Sequence, residues 1–96
     1  MLVEALLFLG LHDTPSPSQW QALRMCESSN IVDAVSRTGK YRGLYQFDLD
    51  TWQSVGGSGD PAQATRAEQY RRAVLLHKKR GWQPWPHCGK IAATTE

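Results

Sequence analysis

The chain has 96 residues and a net charge of +2, which limit it to one small domain and give no basis for a nucleic-acid partner. Its composition, 41% hydrophobic and 21% charged, is that of a globular protein without repeats or low-complexity runs. The tryptophan content is high for so short a chain and predicts either an aromatic core, which is the commoner case, or a platform for sugar rings. The four tryptophans are Trp20, Trp52, Trp82 and Trp85.

The first segment, residues 1–14, is rich in leucine but interrupted by Glu4. It is too short to span a bilayer, and it lacks the positive flank and small-residue cleavage site of a signal peptide. A packing helix, an interaction segment and the remnant of a longer leader all remain open. Residues 14–18 alternate proline with serine or threonine, which predicts a linker leading into a helix.

A helix is predicted from Ser18 to about Ser28, with Trp20, Leu23 and Glu27 on one face because they stand at i, i+3 and i+7. This spacing puts a carboxylate on an apolar stripe in the last turn. Burial and the negative end of the helix dipole would both raise its pKa, as a general acid requires. The spacing alone nevertheless favours the simpler alternative, a helix-end glutamate facing water.

Two runs of β-branched and aromatic residues follow, 31–36 and 41–47, on either side of a Thr-Gly turn. They predict a small antiparallel hairpin. Asp48 or Asp50 is placed to cap a short helix, and the glycine-rich run 56–61 predicts a loop.

The last predicted helix begins at a capping box formed by Thr65 and Glu68 and ends at Gly81. Its apolar face consists of Tyr70, Ala73, Val74 and His77. On such a face His77 is expected to be a core or edge histidine rather than a ligand. Residues 82–86 contain two prolines and predict an extended strap that carries two indoles back over the body. The predicted fold class is therefore α+β, mainly helical, with a short β-hairpin.

The two cysteines, Cys26 and Cys88, lie near the two ends of the predicted domain. In a small domain, such a pair indicates a disulfide and an oxidising compartment. Two buried thiols in a cytosolic protein are the competing interpretation. A zinc site ranks third, because only His87 adjoins a cysteine and no CxxC or HxxxH spacing is present. No metal and no cofactor are expected.

Several motifs in one order resemble the catalytic domain of the resuscitation-promoting factors and related actinobacterial transglycosylase-like proteins. The motifs are CESSN at 26–30, GLYQF at 43–47, TW at 51–52, VGGSG at 55–59 and GWQPWPHC at 81–88. The resemblance covers residues 18–89, leaving 1–17 as an apolar segment with its linker and 90–96 as a C-terminal tail. In the family, two glycines often separate the serine from the asparagine and a tryptophan follows, whereas here Ser29 alone precedes Asn30 and Ile31 follows.

The resemblance implies a small lysozyme-like fold, a disulfide between the two cysteines, and secretion to the cell wall. We expect a monomer, but the sequence leaves the oligomeric state open. It implies that Glu27 is the catalytic acid, since it follows the first cysteine as in the family motif. It also implies that the substrate is the glycan strand of bacterial peptidoglycan. The residues expected to line the glycan groove are Gln46, Thr51 and Trp52, with Tyr41 and Asn30 as further candidates.

The expected reaction is cleavage between N-acetylmuramic acid and N-acetylglucosamine. Glycosidases commonly use two carboxyls, but the nearest alternatives to Glu27, which are Asp33, Asp48 and Asp50, have simpler roles as turn or cap residues. A single acid favours a lytic transglycosylase that forms 1,6-anhydro ends. A lysozyme-type hydrolase and a non-catalytic peptidoglycan-binding module remain as alternatives.

Overall fold

A computed structural model of the protein describes residues 13–96, so the predictions for the leucine-rich start lie outside the described residues. The elements are α1 (Pro17–Ser28), α2 (Leu49–Ser54), a 3₁₀ helix (Pro61–Gln63), α3 (Arg66–Arg80) and α4 (Cys88–Ala93). The mainly helical prediction is confirmed. Within the described range, no helix is both long and apolar enough to cross a membrane.

Helix α1 lies where the sequence predicts it and is capped at both ends. Ser16 and Gln19 form a reciprocal capping box, in which the serine hydroxyl accepts the Gln19 N–H at 3.2 Å and the glutamine side chain accepts the Ser16 N–H at 2.9 Å. At the other end, Ser29 and Asn30 both adopt left-handed backbone conformations. Their amides donate hydrogen bonds to carbonyls of the last turn at 3.1 Å, so the helix ends at Ser28, one residue after Glu27.

The predicted hairpin is not found among the described residues. Two isolated antiparallel bridges take its place, one between Val35 and Arg42 and one between Arg42 and Phe47. The second run folds back on itself because Gly43 (φ 86°) and Gln46 (φ 53°) are left-handed, which brings Phe47 round to exchange two backbone hydrogen bonds with Arg42. The β-branched and aromatic residues predicted strands here, but the turn within the second run prevents them.

The caps of α2 and α3 also follow the sequence, with one difference. Asp48 caps α2 by accepting the Thr51 N–H at 2.8 Å, and Thr65 caps α3 by accepting the Glu68 N–H at 3.1 Å. The Glu68 carboxylate binds Arg72 at 2.8 Å, so only half of the predicted capping box forms. The salt bridge to Arg72, one turn further along α3, takes the place of the bond that Glu68 would accept from the Thr65 N–H in a complete capping box.

The predicted strap, residues 82–86, is a series of turns rather than an extended segment. The Trp85 N–H bonds the Trp82 carbonyl at 2.9 Å, and the Gly89 N–H bonds the Trp85 carbonyl at 2.7 Å. Proline fixes only φ, and that value suits a turn as well as an extended chain. The turns lead into α4, which continues to Ala93 where the sequence predicted a tail from residue 90, and α4 packs against α1.

An aromatic cluster centred on Trp20 forms the core. The Trp20 ring lies with its centroid 5.7–6.3 Å from five others, those of Tyr45, Tyr70, His77, Trp82 and Trp85. Most of the contacts are edge-to-face, the arrangement that aromatic quadrupoles favour. Three of the four tryptophans are almost completely buried and Trp82 is partly buried, so the high tryptophan content serves the core. His77 is buried in this cluster, as expected for a core histidine.

Candidate functional site

Glu27 lies in the last turn of α1, with its side chain partly buried. Burial raises the pKa of its carboxyl from 4.5 to about 6, because the charged form loses solvation. A carboxyl in this range is protonated in an appreciable fraction of molecules just below neutral pH. Glu27 therefore has the acid–base property that protonation of a leaving oxygen requires.

The residues on either side of Glu27 anchor it to other parts of the molecule. Cys26 forms a disulfide with Cys88, with the two Cα atoms 5.7 Å apart. Ser28 donates its hydroxyl hydrogen to the Leu44 carbonyl at 2.8 Å in a buried position. Because one anchor is covalent and the other is a buried hydrogen bond, the backbone of Glu27 is held between α4 and the loop that contains Leu44.

A cleft of about 290 Å³ opens beside that loop. Its lining residues are Tyr41, Tyr45, Gln46, Phe47, Asp48, Thr51, Leu76, Arg80, Gln83, Pro84, Trp85 and Pro86. Three of the five residues expected to line a glycan groove, Tyr41, Gln46 and Thr51, are thus brought together. They come from two turns and the start of α2, which the backbone bridges of Arg42 hold side by side.

Two polar side chains of the cleft are oriented by bonds to their own neighbourhood. The Thr51 hydroxyl donates to Asp48 at 3.0 Å, and the Gln46 amide nitrogen donates to the carbonyls of Gly43 at 2.9 Å and Ala34 at 3.4 Å. With its amide hydrogens engaged, Gln46 has its side-chain oxygen left to accept a bond from a ligand. Gln46 and Thr51 therefore present hydrogen-bonding atoms to the cleft in fixed orientations.

The other two groove candidates lie elsewhere. Trp52 is completely buried against Phe47, with ring centroids 5.0 Å apart, and its indole N–H donates to the Ser58 carbonyl at 3.1 Å. The Asn30 side-chain oxygen accepts bonds from Arg24 at 3.0 Å and Arg66 at 3.3 Å. Both residues are occupied in supporting the walls, and neither lines the cleft.

Glu27 itself is not among the residues that line the cleft, but its neighbour Ser28 is hydrogen-bonded to the loop that forms part of the cleft wall. Leu44, which accepts the Ser28 bond, precedes the cleft residue Tyr45. The Tyr45 carbonyl accepts the Trp85 indole N–H at 3.0 Å, and its hydroxyl accepts a bond from Arg24 of α1 at 3.1 Å. The last two turns of α1 and the cleft wall consequently form one bonded unit.

Sequence reasoning missed the residue that holds the loop in place, Gln69 of α3. It is completely buried, accepts the Leu44 N–H at 2.7 Å, and donates to the carbonyls of Val32 at 3.0 Å and Ala64 at 2.9 Å. A Cβ atom at Gly43 would collide with its side-chain oxygen. The available signal was position, because Gln69 stands four residues before Ala73 and so shares the apolar face of α3.

No group of three or more histidine, cysteine or acidic side chains suited to a metal ion occurs within residues 13–96.

Comparisons with known proteins show the family of this chain. A family model described as a transglycosylase-like domain matches residues 14–88, and the chain therefore belongs to that family. Among its relatives, resuscitation-promoting factor Rpf from Micrococcus luteus is 43% identical over 77 residues, and RpfC from Mycobacterium tuberculosis is 42% identical over 78 residues. The resemblance to the catalytic domain of the resuscitation-promoting factors is confirmed.

The matched region is a part of each relative. It covers 80% of this chain but 34% of the Micrococcus luteus protein, and 81% of this chain but 54% of the Mycobacterium tuberculosis protein. The chain thus spans about a third to a half of the length of these relatives.

Proposed function

We propose that the protein cleaves the glycan strands of bacterial peptidoglycan with Glu27 as its acid catalyst, acting as a lytic transglycosylase. The proposal rests above all on one observation, a carboxyl whose pKa is raised to about 6 by burial and whose backbone is anchored on both sides. Membership of the transglycosylase-like family supports it, as does a neighbouring cleft with fixed hydrogen-bonding atoms.

In the proposed reaction, the protonated Glu27 carboxyl gives its proton to the glycosidic oxygen between N-acetylmuramic acid and N-acetylglucosamine. The bond from C1 of the muramic acid to that oxygen breaks, and the acetamido group stabilises the positive charge that develops at C1. The Glu27 carboxylate then takes the proton of the 6-hydroxyl of the same sugar, whose oxygen bonds to C1. A 1,6-anhydro ring results, Glu27 is protonated again, and no water is consumed.

The setting of the other carboxyls favours this outcome over hydrolysis. Asp48 lines the cleft, but both of its oxygens accept bonds from Thr51 in capping α2. Asp33 and Asp50 are exposed. A hydrolase needs a second carboxyl to activate water or attack C1, and a capping aspartate whose oxygens are already engaged is poorly suited to that role.

For substrate binding, we assign Gln46 and Thr51 to hydrogen bonds with the acetamido and hydroxyl groups of the sugars, and Tyr41 to a sugar face. Tyr41 is well exposed and stands at the edge of the cleft. Trp52 and Asn30 are not assigned a contact with the sugars. Trp52 supports α2, which forms part of the cleft, and Asn30 supports the end of α1.

We place the protein outside the cytoplasm, at the cell wall. The disulfide between Cys26 and Cys88 is the supporting observation, because such bonds persist in oxidising compartments. Titration of thiols in the unreduced, denatured protein is expected to detect none, and two reactive thiols would count against secretion.

The test of the proposal is mass spectrometry of the products released from purified peptidoglycan by the protein and by Glu27→Gln. We expect anhydromuropeptides from the wild-type protein and a loss of turnover of at least about a hundredfold in the variant, since general acid catalysis contributes on that order or more. The variant should still bind chitooligosaccharides.

The other possible outcomes would indicate a different mechanism or a different function. Reducing-end products that disappear in Glu27→Gln would retain the acid but replace the transglycosylase with a hydrolase. Equal turnover by both proteins would remove Glu27 from the mechanism. Absence of products with both, together with binding of glycan, would favour a non-catalytic binding module.

A further inference from the structure

A second and larger cleft, of about 660 Å³, adjoins the first. It is lined by Gly39, Lys40, Arg42, Asp48, Leu49, Asp50, Gly59, Asp60 and Pro61. Asp48 lines both clefts, so they meet at the start of α2. Its volume lies in the range of roughly 300–1,000 Å³ that is typical of ligand sites.

The charged groups of the second cleft fall into two sets. Arg42 and Asp60 form a bidentate ion pair at 2.7 and 2.8 Å, and Asp60 also accepts the Ala62 N–H, so this pair is already satisfied within the protein. Lys40 and Asp50, in contrast, are exposed. Lys40 extends over the ring of its neighbour Tyr41, with its Nζ 5.4 Å from the ring centroid, and forms no ion pair within the described chain.

The cleft thus combines an ammonium group, a carboxylate and an exposed apolar side chain, Leu49, around a floor formed by a satisfied ion pair. In strands that carry stem peptides, the lactyl carboxyl of muramic acid is bonded to the peptide as an amide, so the sugars themselves have no charge that would pair with Lys40 or Asp50. A short peptide with a free carboxylate and an amine has the complementary pattern.

We propose that this second cleft binds the stem peptide that muramic acid sugars carry in peptidoglycan, a deeper claim that rests on the function proposed above. Lys40 binds a stem carboxylate, Asp50 accepts a bond from a stem amine, and Leu49 contacts the apolar part of the peptide. Because Asp48 belongs to both clefts, a sugar bound beside Thr51 and Gln46 would direct its peptide into the second cleft. The protein would then prefer peptide-bearing strands.

The first experiment compares kcat/KM on peptidoglycan strands that carry their stems with kcat/KM on the same strands after an amidase has removed them. The variants are Lys40→Met, which keeps an unbranched side chain for contact with Tyr41, and Asp50→Asn. Lys78→Met, an exposed lysine of α3 that lines neither cleft, is the matched control.

We expect the ratio of the two kcat/KM values to fall by about two- to fivefold in Lys40→Met, mainly through KM, because one exposed ion pair is lost. Asp50→Asn should act in the same direction, and Lys78→Met should leave the ratio unchanged. A wild-type protein that cleaves both strands equally well, or variants that change both values by one factor, would overturn the peptide subsite while leaving the proposed function intact.

A binding measurement tests the peptide subsite separately from the proposed cleavage of glycan strands, even if no cleavage is found. Muramyl tripeptide is titrated into the protein, with N-acetylglucosamine, which carries no charge, as the reference, and amide chemical shifts are followed by NMR. We expect changes at Gly39, Lys40 and Asp50 with the tripeptide that N-acetylglucosamine does not produce. Their absence would overturn the inference whatever the activity of the protein.

Discussion

The helical part of the molecule and the loop from residue 30 to residue 47 are held in place by different means. In the helical part, α3 packs against Trp20 of α1, α4 packs against α1, and the disulfide joins α1 to α4. The loop has only two isolated bridges, and side chains from α1 and α3 bond its backbone groups. The loop also contributes Leu44, Tyr45 and Phe47 to the core, but its backbone depends on hydrogen bonds from buried side chains of the helices.

This difference matters for function because the cleft is formed largely from the loop. Irregular backbone can present hydrogen-bonding atoms in directions that a regular strand cannot, but its own N–H and C=O groups then need partners elsewhere. Gln69 and Ser28 provide them, and both are buried residues of the helices. The helices thus determine the geometry of the cleft although few of their residues line it.

The largest expected loss of stability concerns the helical part. Replacing both Cys26 and Cys88 by alanine should lower the free energy of unfolding by about 4 kcal/mol, because the bond closes a loop of 62 positions in the unfolded chain. Urea denaturation measures the change, with Met25→Ala, an exposed residue of the same turn, as the control. A loss below about 1 kcal/mol would indicate that packing alone maintains this part.

A smaller loss of stability is expected when the side chain that supports the loop is replaced. Gln69→Leu should cost about 2–3 kcal/mol, since it leaves the Leu44 N–H and two carbonyls without partners in a buried place. Hydrogen exchange should accelerate more at Leu44 than at amides of α1. Gln53→Leu, an exposed glutamine of α2, is the control and should cost less than about 0.5 kcal/mol. Equal acceleration of hydrogen exchange in the loop and in α1 would mean that Gln69 does not stabilise the loop more than the helical part.

Glu27 lies where the two parts meet, and its ionisation should change the free energy of unfolding with pH. Its pKa is raised to about 6 in the folded protein from 4.5, so the folded state binds the proton more tightly and ionisation destabilises it. Between those two pH values, the wild-type protein should lose about 1 kcal/mol of unfolding free energy relative to Glu27→Gln, a value reduced for the partial exposure of the carboxyl.

The same titration should appear in catalysis, because the acid must be protonated. We expect kcat/KM to fall as the pH rises through about 6, and denaturation curves of both proteins at several pH values to report the stability change. The difference between the two proteins cancels the titration of every other group. A constant difference in stability across this range would contradict a raised pKa.

The smallest effect is expected for Thr51→Val, which removes one hydroxyl from the cleft. Asp48 still caps α2 through the Thr51 N–H, so the free energy of unfolding should change by less than about 1 kcal/mol. KM for glycan should rise about three- to tenfold if the hydroxyl contacts a sugar. Ser54→Ala, whose hydroxyl is exposed on the same helix, serves as the control, and an unchanged KM in Thr51→Val would remove this residue from the groove.

Several parts of the fold could be predicted because their signals are local. The start of α1, the Asp48 and Thr65 caps and the end of α3 at Gly81 each depend on a few neighbouring residues. The apolar spacing on α1 correctly placed Trp20 and Leu23 in the core. These signals act through backbone hydrogen bonds and side-chain periodicity within one or two helical turns.

The site was only partly predictable. The motif resemblance brought Tyr41, Gln46 and Thr51 together in advance, and they do share a cleft. It also placed Trp52 in the groove, although the residue is completely buried. A motif records which residues occur together, but it does not distinguish a side chain that contacts substrate from one that supports the wall behind it.

By itself, then, the sequence determined α1, α2 and α3, the Asp48 and Thr65 caps, the pair of cysteines and the placement of Glu27 in a last helical turn. Only the tertiary structure decided that residues 41–47 turn back on themselves, that residues 82–86 form turns, and that Gln69 bonds the loop. Each of these depends on partners 25 or more positions away or on a left-handed residue such as Gln46. Local propensity ranks conformations of a segment, whereas the burial and hydrogen bonds available in the assembled molecule select among them.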